Sequence, residues 1–123
     1  MHASKMQFES LESLKNRADF VRAQKAGKKW VAKGLVIESV ENGLGTVRFG
    51  LTVSKRISKS AVIRNRVRRR LRAAAREILP LHARPGFDIV LIGRAETAKR
   101  PHKQLKEDLR WCLEKLELLK ERA

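Results

Sequence analysis

Residues 61–76 read AVIRNRVRRRLRAAAR. At about 100° per residue, Ile63, Val67, Leu71, Ala74 and Ile78 fall on one side of a helix, and Asn65, Arg68, Arg69, Arg72 and Arg76 on the other. Arg64, Arg66 and Arg70 flank the two faces. Helix faces in solvent normally mix signs, because like charges at i, i+4 oppose the helix. Here no Asp or Glu occurs between Glu41 and Glu77. A helix of this kind buries one face and offers guanidinium groups on the other to an oxygen-rich polyanion, which points to a nucleic acid.

On the C-terminal side the helix is predicted to start near Ser60 and end at Leu79, stopped by Pro80. FDIVLIG, residues 87–93, is apolar on both faces and belongs inside a sheet covered on each side. From about Pro101 to Glu121, the spacing of Leu105, Leu109, Cys112, Leu116 and Leu119 predicts an amphipathic last helix.

On the N-terminal side, residues 46–54 (TVRFGLTVS) alternate. Val47, Phe49, Leu51 and Val53 face one way, and Arg48, Gly50, Thr52 and Ser54 the other, so one face packs and the other is open to solvent or a ligand. Residues 34–40 (GLVIESV) form the strand before it, through the turn ENGLG. RADFVRAQKA reads as a short helix between Asn16, with Asp19 three residues on, and Gly27. The first twelve residues lack periodicity and are expected to be loosely ordered. With one further strand, the order α-β-β-β-α-β-α gives a single α+β domain over residues 1–123, a mixed four-stranded sheet packed by three helices.

Twenty-nine Lys and Arg against thirteen Asp and Glu leave a formal charge of +16, a field that favours polyanions. The acids are segregated to the N-terminal segment and the last third. One cysteine, Cys112, forms no internal disulfide, and no Cys-His spacing suggests zinc, so the chain reads as cytoplasmic. The longest apolar run is IVLI, residues 89–92, too short to span a membrane, and MHASKMQF lacks the apolar stretch of a signal peptide.

RFGLTVSKRISKSAVIRNRVRRRLR, residues 48–72, resembles the signature of the protein subunit of bacterial ribonuclease P, a strand and basic pair followed by a helix with Arg-Asn and further arginines. Phe20 in LKNRADFVRAQKAG and the segment FDIVLIGR match the surrounding pattern. The resemblance implies that Arg64, Asn65, Arg68, Arg69 and Arg72 dock on the catalytic RNA subunit, with Lys55 and Arg56 extending that surface. It further implies a left-handed crossover between parallel strands, against the usual hand. A cleft between the first helix and the sheet would hold the 5′ leader of precursor tRNA, with Phe20, Trp30, Lys33 and Arg48 in its neighbourhood. An aromatic beside basic groups suits a single strand whose bases stack; for Phe20 simple core packing is the competing reading. Two departures from the family stand out: Leu35 and Ile37 where relatives often carry aromatics, and no glycine in SKRISKSAVIRN.

No catalytic or metal-binding set is expected in the protein. His2, His82 and His102 lie at a terminus or in loops without acid-base partners, Asp88 stands alone, and Glu107, Asp108, Glu114 and Glu117 read as solvated surface. Cleavage of precursor tRNA, with Mg²⁺, would belong to the RNA partner, and the protein would act as a monomer within the holoenzyme. The alternative is a structural RNA-binding protein of ribosomal type. A helix-turn-helix protein would need a second short helix where GLTVSKRIS reads as strand and loop, and a membrane-surface helix would carry large aromatics on its apolar face.

Overall fold

The computed structural model describes residues 11–120. A five-stranded sheet is formed by β1 (Leu11–Ser13), β2 (Lys28–Val31), β3 (Leu35–Glu41), β4 (Val47–Thr52) and β5 (Phe87–Gly93), in the spatial order β1-β4-β5-β3-β2. Helix α1 (Arg17–Ala26) precedes β2, α2 (Ala61–His82) joins β4 to β5, a 3-10 turn spans Ala95–Ala98, and α3 (His102–Lys115) follows. The β1–β4 and β4–β5 pairs are parallel, and the β2–β3 and β3–β5 pairs antiparallel. The sheet is therefore mixed, as expected, with five strands instead of four. The extra strand is β1, three residues long and straddling the end of the segment expected to be loosely ordered; a run that short has no periodicity to read. Residues 1–10 lie outside the described residues.

Apolar FDIVLIG is indeed the central strand, and its alternation splits the core. Ile89 and Leu91 point with Leu35, Ile37, Val47 and Phe49 into the main core beneath α2 and α3, where Val67, Leu71, Leu79, Leu105, Leu109 and Leu113 are buried. Val90 and Ile92 turn to the other face and meet Leu14, Phe20 and Ala23 of the smaller layer made by α1. Cys112 is fully buried in the main core, and burial pushes its thiol pKa up to about 12.

Three element ends differ most from the sequence reading. Helix α2 runs through Pro80 to His82: a proline so near the end removes only the bond to the carbonyl of Arg76. Lys120 Nζ and the Lys120 N–H then bond the carbonyls of Pro80 and His82 at 2.9 and 2.7 Å. At the other end of α2, Ile63 is 41% exposed, because the first turn projects beyond the core. Helix α3 stops at Lys115. The Leu118 N–H returns to Leu113 O and the Glu117 N–H to Glu114 O, a Schellman closure with Glu117 left-handed at φ 59°, which tucks Leu118 into the core. Strand β4 ends at Thr52, two residues before the predicted limit.

The caps of α1 also work differently from the expected box. The Asn16 side chain makes no capping bond, and its carbonyl accepts from the Asp19 N–H at 3.1 Å. Gly27 ends the helix in extended backbone, not in the left-handed region; it is glycine because a Cβ there would collide with the Ala23 and Ser39 carbonyl oxygens.

Candidate nucleic-acid interface

The loop from β4 into α2 sets the first part of the surface. Ile57 tucks against the core, and its N–H bonds Ser54 O at 3.1 Å, leaving Lys55 and Arg56 exposed on the turn between them. Ser60 caps α2, its hydroxyl accepting from the Ile63 N–H at 3.3 Å, while the Ser60 N–H bonds Ser58 Oγ at 3.1 Å. Arg64 Nη1 donates to Ser58 O at 2.9 Å and ties the loop to the helix. No residue of this loop has a positive φ, so the family's glycine is not required here.

Along α2 the arginines divide by task. Arg68 donates to Asn65 Oδ1 at 2.9 Å and reaches Val53 O at 3.5 Å, which fixes its guanidinium beside the end of β4. Arg70 turns inward and clamps the 3-10 turn, donating to the carbonyls of Ala98 and Arg100. Arg69, Arg72 and Arg76 are exposed and have no hydrogen bond or ion pair among the described residues. The one acid of the helix, Glu77, is engaged by Lys106 Nζ at 2.9 Å and by His102 Nε2 at 3.2 Å. Hydrogen bonds from Lys106 and then His102 hold its carboxyl below the usual range. His102, expected to lack an acidic partner, thus has one, in a contact between α2 and α3. His82 is the last residue of α2; His2 lies outside the described residues.

On the opposite face of the sheet, α1 covers only part of the strands. An open groove of about 590 Å³ remains, lined by Lys15, Arg17, Phe20, Gln24, Glu38 and Arg68 among others. A smaller hollow of about 200 Å³ continues it past Phe20, Gly50 and Leu51 to Arg68 and Arg72. Strand β1 pairs with β4 only as far as Phe49, so the outer flank of β4 beyond that point is where α2 meets the groove. Phe20 is half-buried and serves both readings: it packs on Leu14, Ala23 and Val90 and also lines the groove. Gly50 makes room for it, since a Cβ there would lie 2.5 Å from the ring carbons Cε1 and Cζ.

Of the other expected cleft residues, none lines this groove. Trp30 lies on β2 opposite Ile37, on the face covered by α3, and meets the Trp111 ring edge-on at 6.0 Å. Leu35 and Ile37 are fully buried in the main core on that same face, so the lack of aromatics there leaves the groove unaltered. Lys33 is exposed in the bend between β2 and β3. Arg48 faces the α1 side but is committed to Asp88, donating from Nε and Nη2 at 2.7 Å each, with Asp19 at 3.5 Å.

Asp88 is the hub the sequence hid. Fully buried, it also accepts from Arg22 Nη2 at 2.7 Å and Asn42 Nδ2 at 3.0 Å, which fastens α1 to β4 and β5. Burial alone would raise its pKa; hydrogen bonds from Arg48 and Asn42 and the charges of Arg48 and Arg22 outweigh it and hold the carboxyl below its ordinary value. Asp108 is likewise no solvated acid: it pairs with Arg100 at 2.5 and 3.0 Å and accepts from the Gly34 N–H at 3.1 Å. Arg17 and Gln24 in the groove could have been found from sequence, since with Phe20 and Val21 they share the i, i+3, i+4, i+7 face of α1.

Among the described residues, no three His, Cys, Asp or Glu gather as a metal site, and no helix is long and apolar enough to cross a membrane. A guanidinium-faced helix bordering an open groove with an aromatic wall defines a class, small basic α+β proteins shaped to hold an extended polyanion. A sequence model of the Ribonuclease P family matches residues 8–117, and the chain belongs to that family. It is 42% identical over 111 residues to the ribonuclease P protein component of Paramagnetospirillum magneticum, covering 86% of this chain and 83% of the relative. To that of Ruegeria pomeroyi it is 44% identical over 107 residues, covering 84% of each. The Staphylococcus aureus RNase P protein structure superposes with a TM-score of 0.73 at 26% identity over 88% of this chain and 97% of that one. The Thermotoga maritima protein gives 0.70 at 28% identity, over 86% and 96%.

Proposed function

We propose that this chain is the protein subunit of a ribonuclease P, an endoribonuclease that matures the 5′ end of tRNA in the cytoplasm, and that it works as one copy per holoenzyme. The turn at Lys55 and Arg56 and the row Arg64, Asn65, Arg68, Arg69 and Arg72 dock on the ribonuclease P RNA. The groove between α1 and the sheet receives the single-stranded 5′ leader of precursor tRNA, with Phe20 offering a stacking surface and Lys15, Arg17 and Arg68 neutralising phosphates. The observation that carries this reading is the row of guanidiniums on α2, none of them paired with a carboxylate among the described residues, which runs at Arg68 into the groove.

Hydrolysis is assigned to the RNA partner, which would hold the Mg²⁺. Among the described residues, the carboxylates are either engaged, as Asp88, Asp108 and Glu77 are, or dispersed. Its contribution is to screen phosphate repulsion between two RNAs and to fix the leader.

The test is precursor tRNA cleavage by a transcribed bacterial ribonuclease P RNA across a Mg²⁺ series, with and without the protein. The protein should shift the requirement to lower Mg²⁺ and cut nothing alone. A ribosomal-type scaffold would bind the RNA and leave the Mg²⁺ series unchanged, and cleavage by repurified RNA-free protein would overturn the assignment of the chemistry. Phe20→Ala should weaken precursor binding by about 1 to 3 kcal/mol while sparing mature tRNA, if a leader base stacks on the ring.

A further inference from the structure

Glu38 is out of place in a groove built for phosphates. It lies on β3 on the α1 face, is only 8% exposed, and lines the groove together with Phe20, Arg17 and Arg68. Its cross-strand neighbour is Lys29, yet no ion pair forms between them, and no donor among the described residues hydrogen-bonds its carboxylate. Its carboxylate oxygens keep some access to solvent, and the residue is part of the groove wall. Burial raises its pKa, and the charge of Lys29 opposes that rise. A largely buried carboxylate with no protein donor among the described residues is partly desolvated, a cost to folding that packing does not explain.

Resting on the reading of this groove as the leader site, we propose that Glu38 is a specificity-determining residue that accepts hydrogen bonds from the Watson–Crick edge of one leader base, favouring guanine. An ionised carboxylate is acceptor-only, with two oxygens side by side, and it repels phosphate. The bases of single-stranded RNA are splayed out, stacked on aromatics and read along their edges. Guanine presents two parallel donors there, N1–H and N2–H, which match the two oxygens. Adenine and cytosine present one amino group beside an acceptor nitrogen, and uracil one imino donor between two carbonyls. Phe20 in the same groove supplies a face on which the read base or its neighbour stacks.

The test uses the reconstituted holoenzyme and a pool of precursor tRNAs whose leader is randomised next to the cleavage site, sequenced before and after partial cleavage. The readout is a ratio within each holoenzyme, so changes in overall activity cancel. Wild type should favour guanine over uracil about tenfold at one leader position, the range expected of a good bidentate contact. Glu38→Ala should flatten that position. Glu38→Gln, which can pair with adenine but not with both guanine donors, should move the preference toward adenine. Both variants should melt at or above the wild-type temperature, since each removes a desolvated charge.

Identical profiles for wild type and both variants, or no guanine preference in wild type, overturn the inference. Phe20→Ala separates the two levels. If it changes leader dependence while the Glu38 variants change nothing, the groove reading stands and the Glu38 inference falls. If folded Phe20→Ala also leaves leader dependence untouched, the groove reading fails and the inference with it.

Discussion

Asp88 carries a charge in a position with no solvent, and its four hydrogen bonds make that charge a stability element as well as a hinge pin for α1. Folding lowers its pKa, so the unfolded chain takes up the proton at a higher pH than the folded one. The stabilisation is therefore complete above the ordinary carboxylate range and disappears as pH falls through the lower folded value. Asp88→Asn should cost about 3 kcal/mol at neutral pH, because Arg48 and Arg22 are left facing a neutral group in a partly buried site. Urea unfolding of the two proteins checks this: the gap should narrow as pH is lowered to about 3, since only wild type loses a charge there. A gap that widened on acidification would mean that the carboxyl is protonated in the fold. None of this was legible in the sequence, where Asp88 interrupts an apolar strand and its three partners lie on α1, β4 and a loop. A hub of this kind exists only once the parallel β4–β5 register places Arg48 opposite Asp88.

At the level of elements, α2 was readable because its two faces differ so sharply that periodicity alone separates them. Val67, Leu71 and Ala74 are buried as the wheel requires, and Arg69, Arg72 and Arg76 are exposed. What periodicity could not supply is how far the helix outruns the core, which is why Ile63 is exposed, nor which arginines are diverted to carbonyls, as Arg70 is. It also missed that helix and groove meet. The sequence separates RNA docking from leader binding by residue, but Arg68, on the proposed docking row, also lines the groove, and Arg72 lines the smaller hollow beside it. The double substitution Arg68→Ala, Arg72→Ala should reduce the magnitude of the log K against log salt slope for ribonuclease P RNA by about 1 to 2. It should also blunt discrimination between leader-bearing and leaderless tRNA. Arg69→Ala, off the groove, should lower the slope by about 1 and leave that discrimination intact. A folded double variant with an unchanged slope would place the docking surface elsewhere.

The whole molecule carries +16 in a single small domain, and the sheet separates its sources of stability from its sources of affinity. Stability rests on the apolar layers on either side of β5 and on a few partly buried ion pairs at Asp88 and Asp108, which salt screens weakly. On the proposed reading, affinity for RNA rests on exposed cations that make no ion pair among the described residues, at Lys55, Arg56 and along α2, which salt screens strongly. The same addition of KCl should then act with opposite signs. The free protein should melt at a higher temperature as salt relieves repulsion among its excess cations. Binding to ribonuclease P RNA should weaken, by about a thousandfold between about 50 and 200 mM if some six phosphates are neutralised. Thermal melts of the free chain and filter-binding isotherms over one KCl series measure both. A melting temperature that fell with salt would show that exposed ion pairs, not the buried ones, hold the fold together. An affinity indifferent to salt would remove the guanidinium row from the interface.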